Sequence, residues 1–440
     1  MTNNQQAIDK ILQNLNISSL NEMQQTMLQT IEKEANVILL SPTGSGKTLG
    51  FLLPLLNLLD PSEQRVQALI LAPSRELALQ IEQVFKSMGI GFKVNCCYGG
   101  HDMQIEKNNL SQPPAVLIGT PGRIVDHIRN GRIDLTIIKT LILDEYDKCL
   151  EFGFTEAISF IARIIPNLSK RVLTSATEAV EIQEFIGMTN PIKLNYLSEE
   201  APANLKVKMV ATSVDNRLET LFKLVCKIGN RSTLIFCNQR ETVDEISNLL
   251  WQKKLPNNVF HGGLDQQLRE RTLIKFRNGS HSILVTTDLA SRGLDIPEIE
   301  FIIHYNLPPT ENIFTHRNGR TARMHASGTT YLLINEKETI PPFLTSKPDY
   351  ESVPIKTVLP AKTAWETLYI AAGKKQKISK MDIVGMLMQK GKLQKDDVGL
   401  IDVLDNASYV AVKRAKVDQL LQLIQNVPIK KQKVKIEIAR

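Results

Sequence analysis

The 440-residue chain contains no apolar run close to the roughly 20 residues that a membrane-spanning helix needs, so no association with a membrane is expected. Its opening residues, MTNNQQAIDK, are polar and lack the basic start and apolar stretch of a secretory signal. Cysteine is sparse. Cys96, Cys97, Cys149, Cys226 and Cys237 are scattered, with no C-x-x-C pair. An odd, unpatterned set reads as reduced thiols in a cytoplasmic protein and argues against a disulfide framework or a zinc site. There is no low-complexity segment and no short internal repeat.

What is present points to several domains. At 440 residues about three are expected, and 42% hydrophobic with 22% charged residues is ordinary for a globular chain. The net charge of +7 is unevenly spread. Residues 361–440 hold 16 Lys/Arg against 8 Asp/Glu, whereas residues 1–360 hold 37 against 38. The excess positive charge therefore lies in the last fifth, as either a polyanion-binding module or a solvated lysine-rich tail.

Short apolar runs at residues 35–40, 68–72, 115–119, 140–143 and 171–174 read as buried strands, with helix-compatible stretches between them. Such alternation predicts a parallel sheet covered on both faces. Residues 196–205 read as a linker. The alternation restarts at 232–237, 258–260, 282–286 and 301–304, predicting a second α/β domain. Residues 340–361, with five prolines, read as a second linker. The remainder predicts β-α-β-β-α-β, with strands at 367–371, 398–404, 408–412 and 433–438 and helices at 380–389 and 414–426. The expected boundaries are 1–198, 205–345 and 363–440.

Two motifs carry chemistry. Ser41-Pro42-Thr43-Gly44-Ser45-Gly46-Lys47-Thr48 follows the first strand as a P-loop variant, with Ser41 where the general pattern has Gly. Its glycines let backbone N–H groups wrap phosphates, Lys47 neutralises the outer phosphates, and the Thr48 hydroxyl suits Mg²⁺. Asp144-Glu145 ends the strand at 140–143. Alone it could be a solvated strand end. Beside a P-loop, Asp144 can reach Mg²⁺ and Glu145 can deprotonate the attacking water.

Read in order, these pieces and their neighbours resemble the DEAD-box RNA helicases over nearly residues 15–330. Pro73-Ser74-Arg75-Glu76-Leu77-Ala78 resembles motif Ia, Gly99-Gly100 the GG element, and Thr120-Pro121-Gly122-Arg123 motif Ib. Asp144-Glu145-Tyr146-Asp147 stands at the signature and Ser175-Ala176-Thr177 at motif III. Residues 234–238 resemble motif IV, and Gln266 with Arg269 the Q-x-x-R element. Thr287-Asp288 through Arg292-Gly293-Leu294-Asp295 resembles motif V, and residues 316–323 motif VI. The resemblance implies two tandem RecA-like α/β domains that hydrolyse ATP with Mg²⁺ while holding RNA. It implies that Arg320 and Arg323 act on the γ-phosphate, that Asp295 meets the sugar and that Gln24 reads adenine. Arg75, Gly100, Thr120, Arg123, Arg269 and Thr287 would touch the RNA backbone. Ser175 and Thr177 would couple the ATP site to domain closure through Asp147. Tyr146, Asn318 and Ala322 depart from the usual Ala, Ile and Gly, and the aromatic expected about 17 residues before Gln24 is missing.

The last domain resembles an RRM, with Tyr369 on an RNP2-like strand and Tyr409 on an RNP1-like one. These rings can stack bases or pack against neighbouring elements. Lys374, Lys375, Lys377 and Lys380 offer phosphates a separate basic patch. Residues 377–385 and 405–410 resemble the C-terminal domain of the DbpA group of bacterial helicases. That resemblance implies binding to a 23S rRNA hairpin in pre-50S particles, by a monomer. The alternative is an ATP-binding RNA clamp with little turnover.

Overall fold

The computed structural model describes residues 2–177, 186–197, 205–291, 299–321, 327–344, 347–425, 427–430 and 432–439. The chain forms two compact units, the first spanning Met1–Ala201 and the second lying beyond it.

The first unit is built on a seven-stranded parallel sheet: β1 (Asn36–Leu40), β2 (Ala68–Leu71), β3 (Val94–Cys97), β4 (Val116–Gly119), β5 (Thr140–Leu143), β6 (Lys170–Ser175) and β7 (Ile192–Asn195). Their spatial order is β3-β4-β2-β5-β6-β1-β7. β2, β4 and β5 are buried at every residue, as their unbroken apolar sequences require in a sheet covered on both faces. The outer β7 is largely exposed, and its mixed sequence gave no strand signal. Ligands of open parallel sheets gather beyond the C-terminal strand ends. Here the strand order sorts those ends into two groups. β5, β6 and β1 lie side by side and lead into Asp144-Glu145, Ser175-Ala176-Thr177 and the P-loop. β3, β4 and β2 lie side by side and lead into Gly99-Gly100, Thr120–Arg123 and Arg75.

The second unit holds another seven-stranded parallel sheet: β8 (Leu205–Ala211), β9 (Thr233–Phe236), β10 (Asn258–Phe260), β11 (Ile283–Thr286), β12 (Phe301–His304), β13 (Gly328–Ile334) and β14 (Asp349–Tyr350). The order is β10-β11-β9-β12-β13-β8-β14. β14 lies inside the proline-rich stretch expected to be linker. It pairs with β8, and the following Glu351 bridges Lys208 and Lys227, so part of that stretch belongs to the sheet.

The same unit carries an antiparallel sheet of β15 (Trp365–Ile370), β16 (Val398–Val403), β17 (Ser408–Lys413) and β18 (Ile436–Ile438), in the order β16-β17-β15-β18. Helices Lys380–Gln389 and Arg414–Leu423 complete the expected β-α-β-β-α-β succession. Among the described residues no helix is long and apolar enough to cross a membrane.

Candidate functional site

Gly44 and Gly46 turn the P-loop at φ +84° and +88°, where a side chain would be strained. At Gly46 an added Cβ would also lie 2.4 Å from Gln24 Nε2. The helix Lys47–Asn57 starts immediately after, so its N-terminus faces the loop. Lys47 is 8% exposed and donates to the carbonyls of Ser41 (2.7 Å) and Pro42 (2.9 Å). A cation folded back over its own loop is a ready exchange partner for phosphate oxygens. Ser41 and Ser45 join through their hydroxyls at 2.7 Å, a brace that Gly at position 41 could not supply.

Gln24 is buried against this loop and donates to the Gly46 carbonyl at 3.2 Å. Its Oε1 accepts the Asn21 N–H at 3.1 Å, which closes a capping box on the helix Glu22–Lys33. Asn21 in turn donates to the Ser45 carbonyl at 3.0 Å. Gln24 therefore props the phosphate loop, and one amide hydrogen and one lone pair remain for a base.

Asp144 is 2% exposed. Its Oδ1 accepts from Thr174 Oγ1 at 2.5 Å and from the Glu145 N–H at 3.1 Å. Burial pushes the Asp144 carboxyl upward, against the Thr174 hydrogen bond and the charge of Lys47, which pull it down. Glu145 adopts φ +48°, ψ +52°, a left-handed conformation uncommon outside glycine, directly before the helix Tyr146–Glu151. Thr174 Oγ1 also accepts the Glu145 N–H at 3.2 Å, so one hydroxyl fixes both acids. Thr174 was not singled out from sequence; its place just before Ser175-Ala176-Thr177, at the inner end of β6, is the signal that could have found it. Thr177 Oγ1 lies 3.5 Å from Asp147 Oδ2, the contact expected between motif III and the signature. Tyr146 is 1% exposed and packs in the core with Leu143 and Cys149.

The RNA-facing candidates of the first unit converge. An added Cβ at Gly100 (φ +85°) would lie 2.6 Å from Arg75 Nη1, so the GG turn lies against motif Ia. Arg123 donates to the His101 carbonyl at 2.6 Å, which joins motif Ib to the same turn. Thr120 precedes Pro121 at the start of the helix Pro121–Arg129, and its N–H donates to the Cys97 carbonyl at 3.1 Å.

In the second unit Arg317 is fully buried. It pairs with Asp288 (2.5 Å) and donates to Asn238 Oδ1 (2.8 Å) and the Asn306 carbonyl (3.0 Å), tying motifs IV, V and VI together. Asn318 faces His304 Nε2 at 3.3 Å. Burial, with Arg317 nearby, holds the His304 imidazole well below its ordinary pKa, so it stays neutral and accommodates a polar neighbour where the family has Ile. Arg320 is 2% exposed. Asp295, Ala322 and Arg323 lie outside the described residues. Arg269 donates to the Leu264 carbonyl at 3.1 Å, and the Thr287 N–H points to the Phe260 carbonyl at 3.4 Å, both beyond the ends of β10 and β11.

The tyrosines of the antiparallel sheet face each other across β15 and β17, with ring centroids 5.6 Å apart. They are covered. Tyr409 is 7% exposed and packs with Ile274 of the helix Gln266–Arg277, with Tyr369 beside it. Arg277 pairs with Asp402 at 2.6 Å, and Thr367 bonds Asn278 (3.1 Å) and Ser280 (2.6 Å). Base stacking on Tyr409 does not fit this arrangement, because a neighbouring helix already buries its ring. Lys374, Lys375, Lys377 and Lys380 are exposed, with Lys377 at φ +58°.

The DEAD/DEAH box helicase family model matches residues 21–185, the helicase conserved C-terminal domain 216–325, and the DbpA RNA binding domain 367–438. The chain is 30% identical to the ATP-dependent RNA helicase DbpA of Escherichia coli (strain K12), over 98% of this chain and 96% of that protein. It is 29% identical to the DbpA of Bacillus subtilis (strain 168), over 98% and 97%. Among solved structures, S. cerevisiae Dbp5 bound to RNA and ADP BeF3 superposes with TM-score 0.68 at 25% identity, covering 78% of this chain and 93% of that one. Mss116p bound to ssRNA and AMP-PNP gives 0.70 at 25%, covering 80% and 77%. The two parallel sheets are RecA-like domains, and the chain belongs to the DEAD-box ATP-dependent RNA helicases of the DbpA type, an RNA-stimulated ATPase carrying its own RNA-binding domain.

Proposed function

We propose that this helicase remodels a structured segment of 23S rRNA during assembly of the large ribosomal subunit, working as a cytoplasmic monomer on pre-50S particles. One observation carries the reading. The C-terminal domain, which holds the chain's excess positive charge, is anchored to the helix Gln266–Arg277, and that helix also bears Arg269. RNA held by the exposed lysines is thereby tethered to the motor domain that acts on it.

Lys47 neutralises the β- and γ-phosphates, Glu145 takes the proton of the attacking water, and Arg320 and Arg323 stabilise charge on the transferred phosphoryl group. The hard oxygen donors Thr48 and the buried Asp144 suit Mg²⁺, which supplies charge neutralisation on the phosphates when bound. Arg75, Gly100, Thr120 and Arg123 in one unit, and Arg269 and Thr287 in the other, hold the RNA backbone. Contacts of that kind position RNA without reading its sequence, so target choice falls to the C-terminal domain. Of the two departures that favour the clamp alternative, Tyr146 has its ring in the core and Ala322 lies outside the described residues.

Crosslinking the full chain to RNA in cells tests the target. Reads should concentrate in 23S rRNA and disperse when Lys374, Lys375, Lys377 and Lys380 are changed to Ala. Concentration in another transcript overturns the ribosomal reading.

A further inference from the structure

Glu106 belongs to none of the motifs, yet it is wholly buried between two of the RNA-facing loops. Its Oε1 accepts the Tyr98 N–H at 3.0 Å and lies 3.1 Å from His101 Nδ1, so it grips the GG turn from both sides. Its Oε2 lies 2.7 Å from His127 Nε2 and forms an ion pair with Arg123 Nε at 2.9 Å. Arg123 closes the circuit by donating to the His101 carbonyl. Tyr98 and His101 stack with centroids 5.0 Å apart, which stiffens the turn.

The cluster has a superficial likeness to a metal site, since ligand atoms of Cys97, Glu106 and His127 lie within 4.8 Å of one another. Its chemistry argues otherwise. Both Glu106 oxygens are already engaged by nitrogen groups, and the Arg123 guanidinium, 2.9 Å from Oε2, would repel a cation bound there. Burial pushes the Cys97 thiol up to about 12, which disfavours its thiolate. Burial would likewise raise the Glu106 carboxyl, but the hydrogen bonds from His101, His127 and Tyr98, with the Arg123 charge, bring it down to about 2. Glu106 is a permanent anion serving as an anchor.

We infer that Glu106 is a positioning residue for RNA binding: one buried carboxylate sets the Arg123 guanidinium and the Gly99-Gly100 turn in mutual register, so that both meet the same stretch of RNA backbone. Without it, Arg123 loses its ion pair and the turn loses two of its ties. This inference rests on the assignment of Arg123 and Gly100 as RNA contacts.

The test compares Glu106→Gln, Glu106→Ala and Arg123→Ala in the full chain. The readouts are RNA-stimulated ATPase, thermal melting, and the salt dependence of RNA affinity with a single-stranded RNA probe. The KM for RNA should rise about tenfold in Glu106→Ala and about threefold in the isosteric Glu106→Gln, on the scale of a lost charged hydrogen bond, with the KM for ATP unmoved. The slope of log affinity against log salt should shrink by about 0.7 for one lost phosphate contact, as in Arg123→Ala. A merely structural role would lower the melting temperature and leave that slope intact. Should Glu106→Ala fail to fold, the Gln variant decides by the same slope. If Arg123→Ala shifts RNA affinity and both Glu106 variants that fold leave the slope unchanged, the inference is wrong. If Arg123→Ala itself leaves RNA affinity unchanged, the assignment beneath it fails.

Discussion

Changing Thr174 to Val removes a single oxygen and keeps the shape of the side chain. That oxygen donates to Asp144 Oδ1 at 2.5 Å and accepts the Glu145 N–H at 3.2 Å. The second bond is partly redundant, because the same N–H also reaches Asp144. The cost therefore comes mainly from a buried carboxylate that loses a charge-assisted hydrogen bond, about 2 kcal/mol. In a domain of this size that lowers the melting temperature by about 4–8 °C. The catalytic loss should exceed what stability explains, because Asp144 Oδ1 loses the hydroxyl that fixes its orientation beside the left-handed Glu145. The turnover number in RNA-stimulated ATPase should drop about 10–30-fold, a similar 1.4–2 kcal/mol. Thr174→Ser, which restores the hydroxyl, should recover most of it. Steady-state ATPase at saturating ATP and RNA, alongside thermal melting, measures both. A Val variant with turnover within twofold of the parent would show that Thr174 does not organise the acid pair.

Three further outcomes are expected. Glu145→Gln should bind nucleotide and lose turnover, read by equilibrium nucleotide titration and single-turnover hydrolysis; a fully active variant removes Glu145 as the base. Tyr409→Ala should destabilise the protein by about 3 kcal/mol, since the ring is buried against Ile274; weakened RNA binding with unchanged melting would return Tyr409 to base stacking. Burial, helped by Lys275 and Arg414, depresses the His281 imidazole from 6.5 to about 3. The unfolded chain therefore takes up a proton near pH 6.5 that the folded chain refuses. Stability falls as pH drops from 6.5 toward 3, by up to a few kcal/mol, and His281→Asn should flatten that part of the denaturation profile.

The chemistry was legible because it needs particular residues in one order. A phosphate loop calls for glycines and a lysine, and a metal carboxylate for the end of a buried strand, so Gly44, Gly46, Lys47 and Asp144 stood out as candidates. The strands were legible where burial on both faces forces unbroken apolar runs, as in β2 and β5. The edge strands β7 and β14 are exposed and mixed, and left no such mark. Thr174 and Glu106 were illegible for another reason. A hydroxyl 30 residues from Asp144 and a carboxylate 17 residues from Arg123 gain meaning only when the sheet order brings neighbouring strands, and the helices that follow them, together. The fate of Tyr409 was illegible for the same cause. Alternation shows which face a residue takes in β17, and tertiary packing decides whether a helix covers it.

In the proposed mechanism RNA drives ATP hydrolysis by Lys47, Asp144 and Glu145. The most direct measurement is steady-state ATPase of the full chain with a structured RNA, with DNA of the same sequence, and with no nucleic acid. RNA alone should stimulate the rate at least about tenfold, within the usual range of coupling between two sites. Equal rates in all three conditions would contradict it.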